Sequence, residues 1–147
     1  MRYLLGTNII AEPTKLEPHP NVIDALTHFR EEVAISAISW HELWFGTDRI
    51  PPSRKRTILE TYLTNLSNTE MPILPYTQEA GKWFATERSR LTSLGLTPSY
   101  ADGQIAAIAS VHNLILVTRN TSDFMHFDGL HLENWFESRT PPQADGV

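Results

Sequence analysis

Apolar residues along this chain fall into short continuous runs, separated by longer stretches in which they recur every three or four positions. The run Tyr3-Leu4-Leu5, within residues 2–6, stops at a turn and predicts a buried strand. Residues 20–31 open on Pro20-Asn21 and space Val22, Ala25, Leu26 and Phe29 along one helical face. Val33-Ala34-Ile35-Ser36 predicts a second strand. Ser39 stands where an N-cap belongs, and Glu42 follows at capping-box spacing, so a helix is expected from there to about Asp48.

The second half repeats the pattern. Pro51-Pro52-Ser53 restarts the chain, and a helix is expected to about Asn68. Ile73-Leu74-Pro75 predicts a short strand at a sheet position that tolerates proline. An amphipathic helix over residues 77–94 is stopped by Gly95. Pro98 opens another helix, with Ile105, Ala106, Ile108 and Ala109 as its apolar face. Leu114–Thr118 is the clearest strand, and Leu130–Leu132 a last short one. Strands separated by helices predict an α/β fold with a mostly parallel central sheet. One domain is expected over residues 1–137, with 138–147 a polar, mobile tail.

Acidic residues occupy equivalent places in this alternation. Glu42 lies in the first turn of the helix after the second strand. Asp102 is near the start of the helix that feeds the Leu114–Thr118 strand, and Asp123 follows that strand in Thr118-Arg119-Asn120-Thr121-Ser122-Asp123. The first strand ends at Gly6-Thr7-Asn8, where a fourth acid is missing. In open α/β sheets, sites form beyond the carboxyl ends of the strands, so these positions can converge. Clustered carboxylates repel one another unless a cation is present, and hard cations such as Mg²⁺ and Mn²⁺ choose carboxylate oxygen and water. Each acid also has a plain structural reading: Glu42 as the partner of Ser39 in a capping box, Asp102 as a first-turn acid favoured by the helix dipole, Asp123 as a cap for the segment after it. Asn8 and Asn120 read as turn residues.

Composition narrows the chemistry. Without cysteine there are no thiolate metal sites or disulfides, which fits a reducing cytoplasm. No apolar run approaches the roughly 20 residues of a membrane helix, and no signal peptide is evident, so no membrane association is expected. The net charge of −5 argues against extended duplex binding, although carboxylates reserved for metals count as negative until a cation arrives. No His-Glu-x-x-His pattern, phosphate loop or nucleophile elbow is present.

With these residues in hand, the chain resembles the PIN-domain ribonucleases, in particular the VapC-type toxins of bacterial toxin–antitoxin pairs. The resemblance runs from Tyr3 to about Trp135, through Leu4-Leu5-Gly6-Thr7-Asn8, Ile35 to Leu43 with Gly46, Asp102 to Ala107, and Leu116 to Asn120 with Asp123-Phe124. It implies a three-layer α/β/α domain that cuts RNA, with transfer RNA a reasonable target, using Mg²⁺ or Mn²⁺. Glu42, Asp102 and Asp123 would hold or orient the metal. Thr7, Ser39 and Thr118 would support these ligands from around them, Asn120 would be an outer or further polar ligand, and Asn8 would brace the loop. The family places an aspartate where this chain has Gly6, so a metal ligand is missing. That change implies either an impaired nuclease or a protein that binds antitoxin or RNA without cutting.

Two surfaces are expected to carry partners. Arg54, Lys55 and Arg56, beginning a helix, are candidates for phosphate contact or a solvated basic edge, and Arg119 for RNA phosphate beside the acids. Trp40, Leu43, Trp44 and Phe45 crowd one short helix, more than a core needs. The resemblance implies a cognate antitoxin lying against Trp40, Leu43 and Trp44, and a toxin homodimer.

Overall fold

The computed structural model describes residues 1–137; the expected mobile tail at 138–147 lies outside the described residues. Five parallel strands form one sheet in the order β3-β2-β1-β4-β5: β1 (Tyr3–Leu5), β2 (Val33–Ser36), β3 (Ile73–Leu74), β4 (Ile115–Val117) and β5 (Leu132–Glu133). The helices are α1 (Thr7–Ala11), α2 (Pro20–His28), α3 (Ala37–Asp48), α4 (Arg54–Ser67), α5 (Gln78–Ser93) and α6 (Tyr100–Val111). The chain winds outward from β1 through β2 to β3, then returns to lay β4 against the other side of β1. Adjacent strands therefore leave β1 in opposite directions, and a crevice opens beyond the ends of β1 and β4.

Strand alternation divides the interior into two cores. Leu4, Ala34 and Leu116 point to one face of the sheet, where Phe84 and Leu91 of α5 and Ile105 and Ile108 of α6 cover them. Tyr3, Leu5, Ile35 and Val117 point to the other, against Ile9, Ile10, Val22, Leu43 and Leu63. The three-layer α/β/α architecture follows from this period-two pattern. Pro75 sits just past the edge strand β3, where a missing N–H leaves no ladder bond unmade.

Several boundaries differ from expectation. Ser36, not Ser39, caps α3: its Oγ accepts the Ser39 N–H at 3.0 Å. Glu42 is therefore no capping-box partner of Ser39, whose own hydroxyl is buried inside the helix. The α2 helix ends at His28 rather than 31, and the last strand is Leu132–Glu133 rather than Leu130–Leu132. The α1 helix, five residues long, is too short to leave a periodic signal. Two glycines act as the backbone requires. Gly95, at φ +75°, terminates α5 while the Leu96 N–H closes on the Leu91 carbonyl at 2.8 Å. Gly103 lets α6 lie against α5, since a Cβ there would come within 2.0 Å of the Phe84 ring.

Candidate active site

The crevice is built from four chain segments. Gly6 leaves β1 with its N–H bonded to the Val117 carbonyl at 2.8 Å, and its own carbonyl accepts the Ile9 and Ile10 N–H groups of α1 at 3.1 and 3.2 Å. This fixes Thr7 at the start of α1, from where its Oγ1 donates to Glu42 Oε1 on α3 at 3.0 Å. Ser99 caps α6 by accepting the Asp102 N–H at 3.1 Å, which holds Asp102 in the first turn. After β4, Thr118 Oγ1 accepts the Asn120 N–H at 3.0 Å and turns the chain into a single 3₁₀ turn, Thr121–Asp123. Asp123 ends that turn, so it does not cap a segment that follows it.

These segments bring the three acids into one electrostatic neighbourhood. Asp102 and Asp123 line the same cleft. Partial burial pushes the Asp102 carboxyl above its ordinary range; the Ser99 hydrogen bond opposes the shift, and the negative charges of Asp123 and Glu42 add to it. Glu42 thus acts on Asp102 through space while Thr7 holds its carboxylate from behind.

Not every expected residue joins this group. Asn8 and Asn120 are exposed at its edge, and Thr118 is buried in the turn it stabilises. The Ser39 hydroxyl is buried and has no hydrogen-bond partner among the described residues. Arg119 is exposed, with its guanidinium 4.3 Å above the centre of the Phe136 ring, a contact that pre-orients the cation. Arg54 and Lys55 are exposed on α4. Arg56 is half-buried and occupied: it bonds Glu60 and the Ile50 carbonyl, each at 3.1 Å. Leu43 belongs to the core rather than to a groove, because α3 packs it onto the sheet. Trp40 and Trp44 lean on the same core, edge to face at 6.1 Å, and the exposed member of the set is Phe45.

The sequence reading missed Glu12. Its carboxylate is buried, accepts the His19 N–H at 2.8 Å and pairs with Lys15 at 2.9 Å. Burial pushes its titration up, but the Lys15 and His19 hydrogen bonds, with the charges of Lys15 and Arg119, together hold it below the usual value. It also missed an apolar groove of about 780 Å³ between α2 and α4, lined by Leu26, Leu66, Met71 and Tyr62 among others. Lys15 at i+3 from Glu12 is the only sequence signal for the first; for the second there is none.

Would a divalent cation fit? The donor chemistry does: the negative charges of Asp123 and Glu42 felt at Asp102 are what a hard cation relieves. The number of donors falls short. Position 6 offers no carboxylate, and among the described residues no three histidine, cysteine, aspartate or glutamate side chains stand close enough to hold one ion.

Comparison with known proteins agrees with this geometry. The profile of the PIN domain matches residues 3–130. The VapC ribonuclease Y4jK of Sinorhizobium fredii is 35% identical, over 82% of this chain and 89% of its own. Toxin FitB of Neisseria gonorrhoeae is 31% identical, over 91% of this chain and 99% of its own. The crystal structure of VapBC2 from Rickettsia felis bound to a DNA fragment from their promoter superposes with a TM-score of 0.78 at 28% identity, covering 92% of this chain and 99% of that one. The chain belongs to the PIN-domain family, among its VapC-type ribonuclease toxins.

Proposed function

We propose that this PIN-domain protein is the toxin of a toxin–antitoxin pair, an endoribonuclease built around Glu42, Asp102 and Asp123, which Gly6 leaves impaired. The observation that carries the reading is the grouping of these acids at the crevice beyond β1 and β4, with Thr7 holding Glu42 at 3.0 Å and the charges of Glu42 and Asp123 felt at Asp102. A Mg²⁺ or Mn²⁺ ion would be held by Asp102 with Glu42 and Asp123, and would supply positive charge to a phosphodiester and its leaving oxygen. The chain's own residues do the rest. Asp102, Glu42 and Asp123 offer oxygen ligands, Thr7 fixes the direction of the Glu42 carboxylate, and Arg119, braced on Phe136, meets RNA phosphate beside the acids. Arg54 and Lys55 extend the phosphate contact. RNA as the substrate, transfer RNA included, places the activity in the cytoplasm.

The impairment follows from the count of ligands at the crevice. It supports a second reading, a binding protein that holds antitoxin or RNA without cutting. RNA cleavage by the present chain and by Gly6→Asp, in Mn²⁺, separates the two: restored cutting supports the nuclease, and a folded but inert Gly6→Asp supports the binder.

The seat for the antitoxin is the groove between α2 and α4. Its largely apolar lining suits a peptide segment, whereas Leu43 is taken up by the core. VapBC2, the superposed structure, is named as a complex with promoter DNA, which supports an antitoxin partner for this chain as well. A homodimer of the toxin completes the assembly.

A further inference from the structure

The cleft holding Asp102 and Asp123, about 280 Å³ in all and open to solvent, continues past the acids between the C-terminal end of α5 and the segment after β4. Leu91 and Phe127 form an apolar floor, Leu96 a wall, and Thr97, Ser99 and His126 a polar rim. Leu96 is 42% exposed, an aliphatic side chain left uncovered beside a charged site. The Ser99 oxygen accepts the Asp102 N–H, and its hydroxyl also acts on the Asp102 carboxylate, which ties the rim to the acids.

The backbone behind the rim is braced. Glu87 of α5 is buried; it accepts the Asp128 N–H at 2.8 Å and two hydrogen bonds from Arg90. Arg90 in turn donates to the His126 carbonyl at 2.8 Å. Across the cleft, Thr97 Oγ1 donates to Thr92 Oγ1 at 2.9 Å. An ion pair whose arginine remains part-exposed is a poor source of net stability. Here it pins the segment that presents His126 and Phe127.

The chemistry of the cleft selects its ligand. The acidic end repels a phosphate or carboxylate that enters without a cation. A neutral planar ring fits instead: one face meets the exposed Leu96 above the floor that Leu91 and Phe127 underlie, and its edge meets two hydroxyls and an imidazole. The whole cleft, acids included, lies just below the range of about 300–1,000 Å³ typical of small-molecule pockets, so beside the acids there is room for one ring system and no larger ligand. We infer that this extension is a subsite for one unstacked nucleobase of a single-stranded RNA, next to the phosphate handled at the acids. Bases of single-stranded RNA are recognised in this way, by stacking on side chains and hydrogen bonding at their edges. The inference rests on the RNA reading above and adds a determinant of which nucleotide is chosen.

The test measures binding, not cutting. Fluorescein-labelled short single-stranded RNAs, identical except for one central position carrying A, C, G, U or an abasic site, are titrated with the full chain in Mg²⁺ by fluorescence anisotropy. Leu96→Ala and His126→Ala alter exposed side chains and leave the core intact. Arg54→Ala, outside the cleft lining, serves as a phosphate control. The expected result is that the abasic RNA binds about tenfold more weakly than the best base, a loss within the range of one base–aromatic stack. Leu96→Ala and His126→Ala should erase that difference, while Arg54→Ala weakens all RNAs alike. Equal binding of abasic and base-containing RNA by the unaltered chain, or an unchanged preference in both cleft variants, overturns the subsite and leaves the RNA reading standing. Failure of the unaltered chain to bind any of these RNAs overturns both.

Discussion

Thr7 and Glu42 stand 35 residues apart in sequence, and one hydrogen bond of 3.0 Å joins them. Thr7 opens α1 directly after β1, and Glu42 lies in α3 directly after β2, so the bond ties together the exits of two neighbouring strands. Its effect is to aim a carboxylate. Thr7→Val keeps the side-chain shape and removes the donor. Mn²⁺ binding measured by calorimetry should weaken about 10-fold, the lower end of what loss of a ligand-orienting hydrogen bond causes. Thr7→Ser should retain most of the affinity. Equal affinity in Thr7→Val would show that Glu42 needs no such support.

The residue after Asp102 is a packing requirement. A Cβ at Gly103 would meet the Phe84 ring at 2.0 Å inside the α5–α6 contact. Gly103→Ala should lose about 1–3 kcal/mol in urea denaturation through overpacking. Phe84→Leu in the same chain should return part of the loss. No loss in Gly103→Ala would mean that the two helices are not held at this distance.

Glu87 gives a pH signature. The Arg90 hydrogen bonds hold its carboxyl below the ordinary value of 4.5; burial opposes them and the Asp128 N–H assists. Folding therefore favours the ionised form. The stability gained is present above the unfolded-state value and disappears as pH falls through the lowered folded value. Glu87→Gln should be about 1–3 kcal/mol less stable than the unaltered chain at pH 7. The gap should narrow as the pH is taken from 5 towards 2 in a denaturant series. A gap independent of pH would assign the loss to shape rather than charge.

The groove between α2 and α4 predicts where an antitoxin binds. Leu66→Lys, on its lining, should abolish co-purification with the product of the neighbouring gene, whereas Phe45→Ser on α3 should leave it intact. The reverse pattern would return the partner surface to the tryptophan-rich helix.

Much of this architecture was legible in the chain. Leu4-Leu5 and Leu116-Val117 are apolar on both faces because both faces are covered, and that continuity marked the central strands. Asp102 stood out because it falls near the start of the helix that feeds the clearest strand. Other features follow from contacts between residues distant in sequence. Both Ser36 and Ser39 could cap a helix, and the choice was made by where β2 stops. Leu43 reads like an exposed anchor beside Trp40 and Trp44 until the sheet is placed beneath it. Glu12 and Glu87 look like surface charges, since burial of a carboxylate leaves no mark in the sequence beyond a basic residue three positions on. The groove between α2 and α4 is formed by segments far apart along the chain and has no linear signature at all.

The central claim is that a carboxylate cluster built for RNA cleavage lacks one member at Gly6. Gly6 has φ −73° and ψ 166°, extended backbone that aspartate adopts readily. A Cβ there would lie 2.9 Å from the Val117 carbonyl, so the ends of β1 and β4 must shift slightly to admit it. Gly6→Asp should therefore be somewhat less stable than the present chain and still cleave RNA faster. The direct measurement is the initial rate of transfer-RNA cleavage in Mn²⁺ by both purified chains, with circular dichroism confirming the fold of each. The account predicts a gain of about 10²-fold or more for Gly6→Asp, the scale of one preorganised electrostatic group, and abolition of that gain by Asp102→Ala. A folded Gly6→Asp chain that cuts no faster than the present one would contradict it.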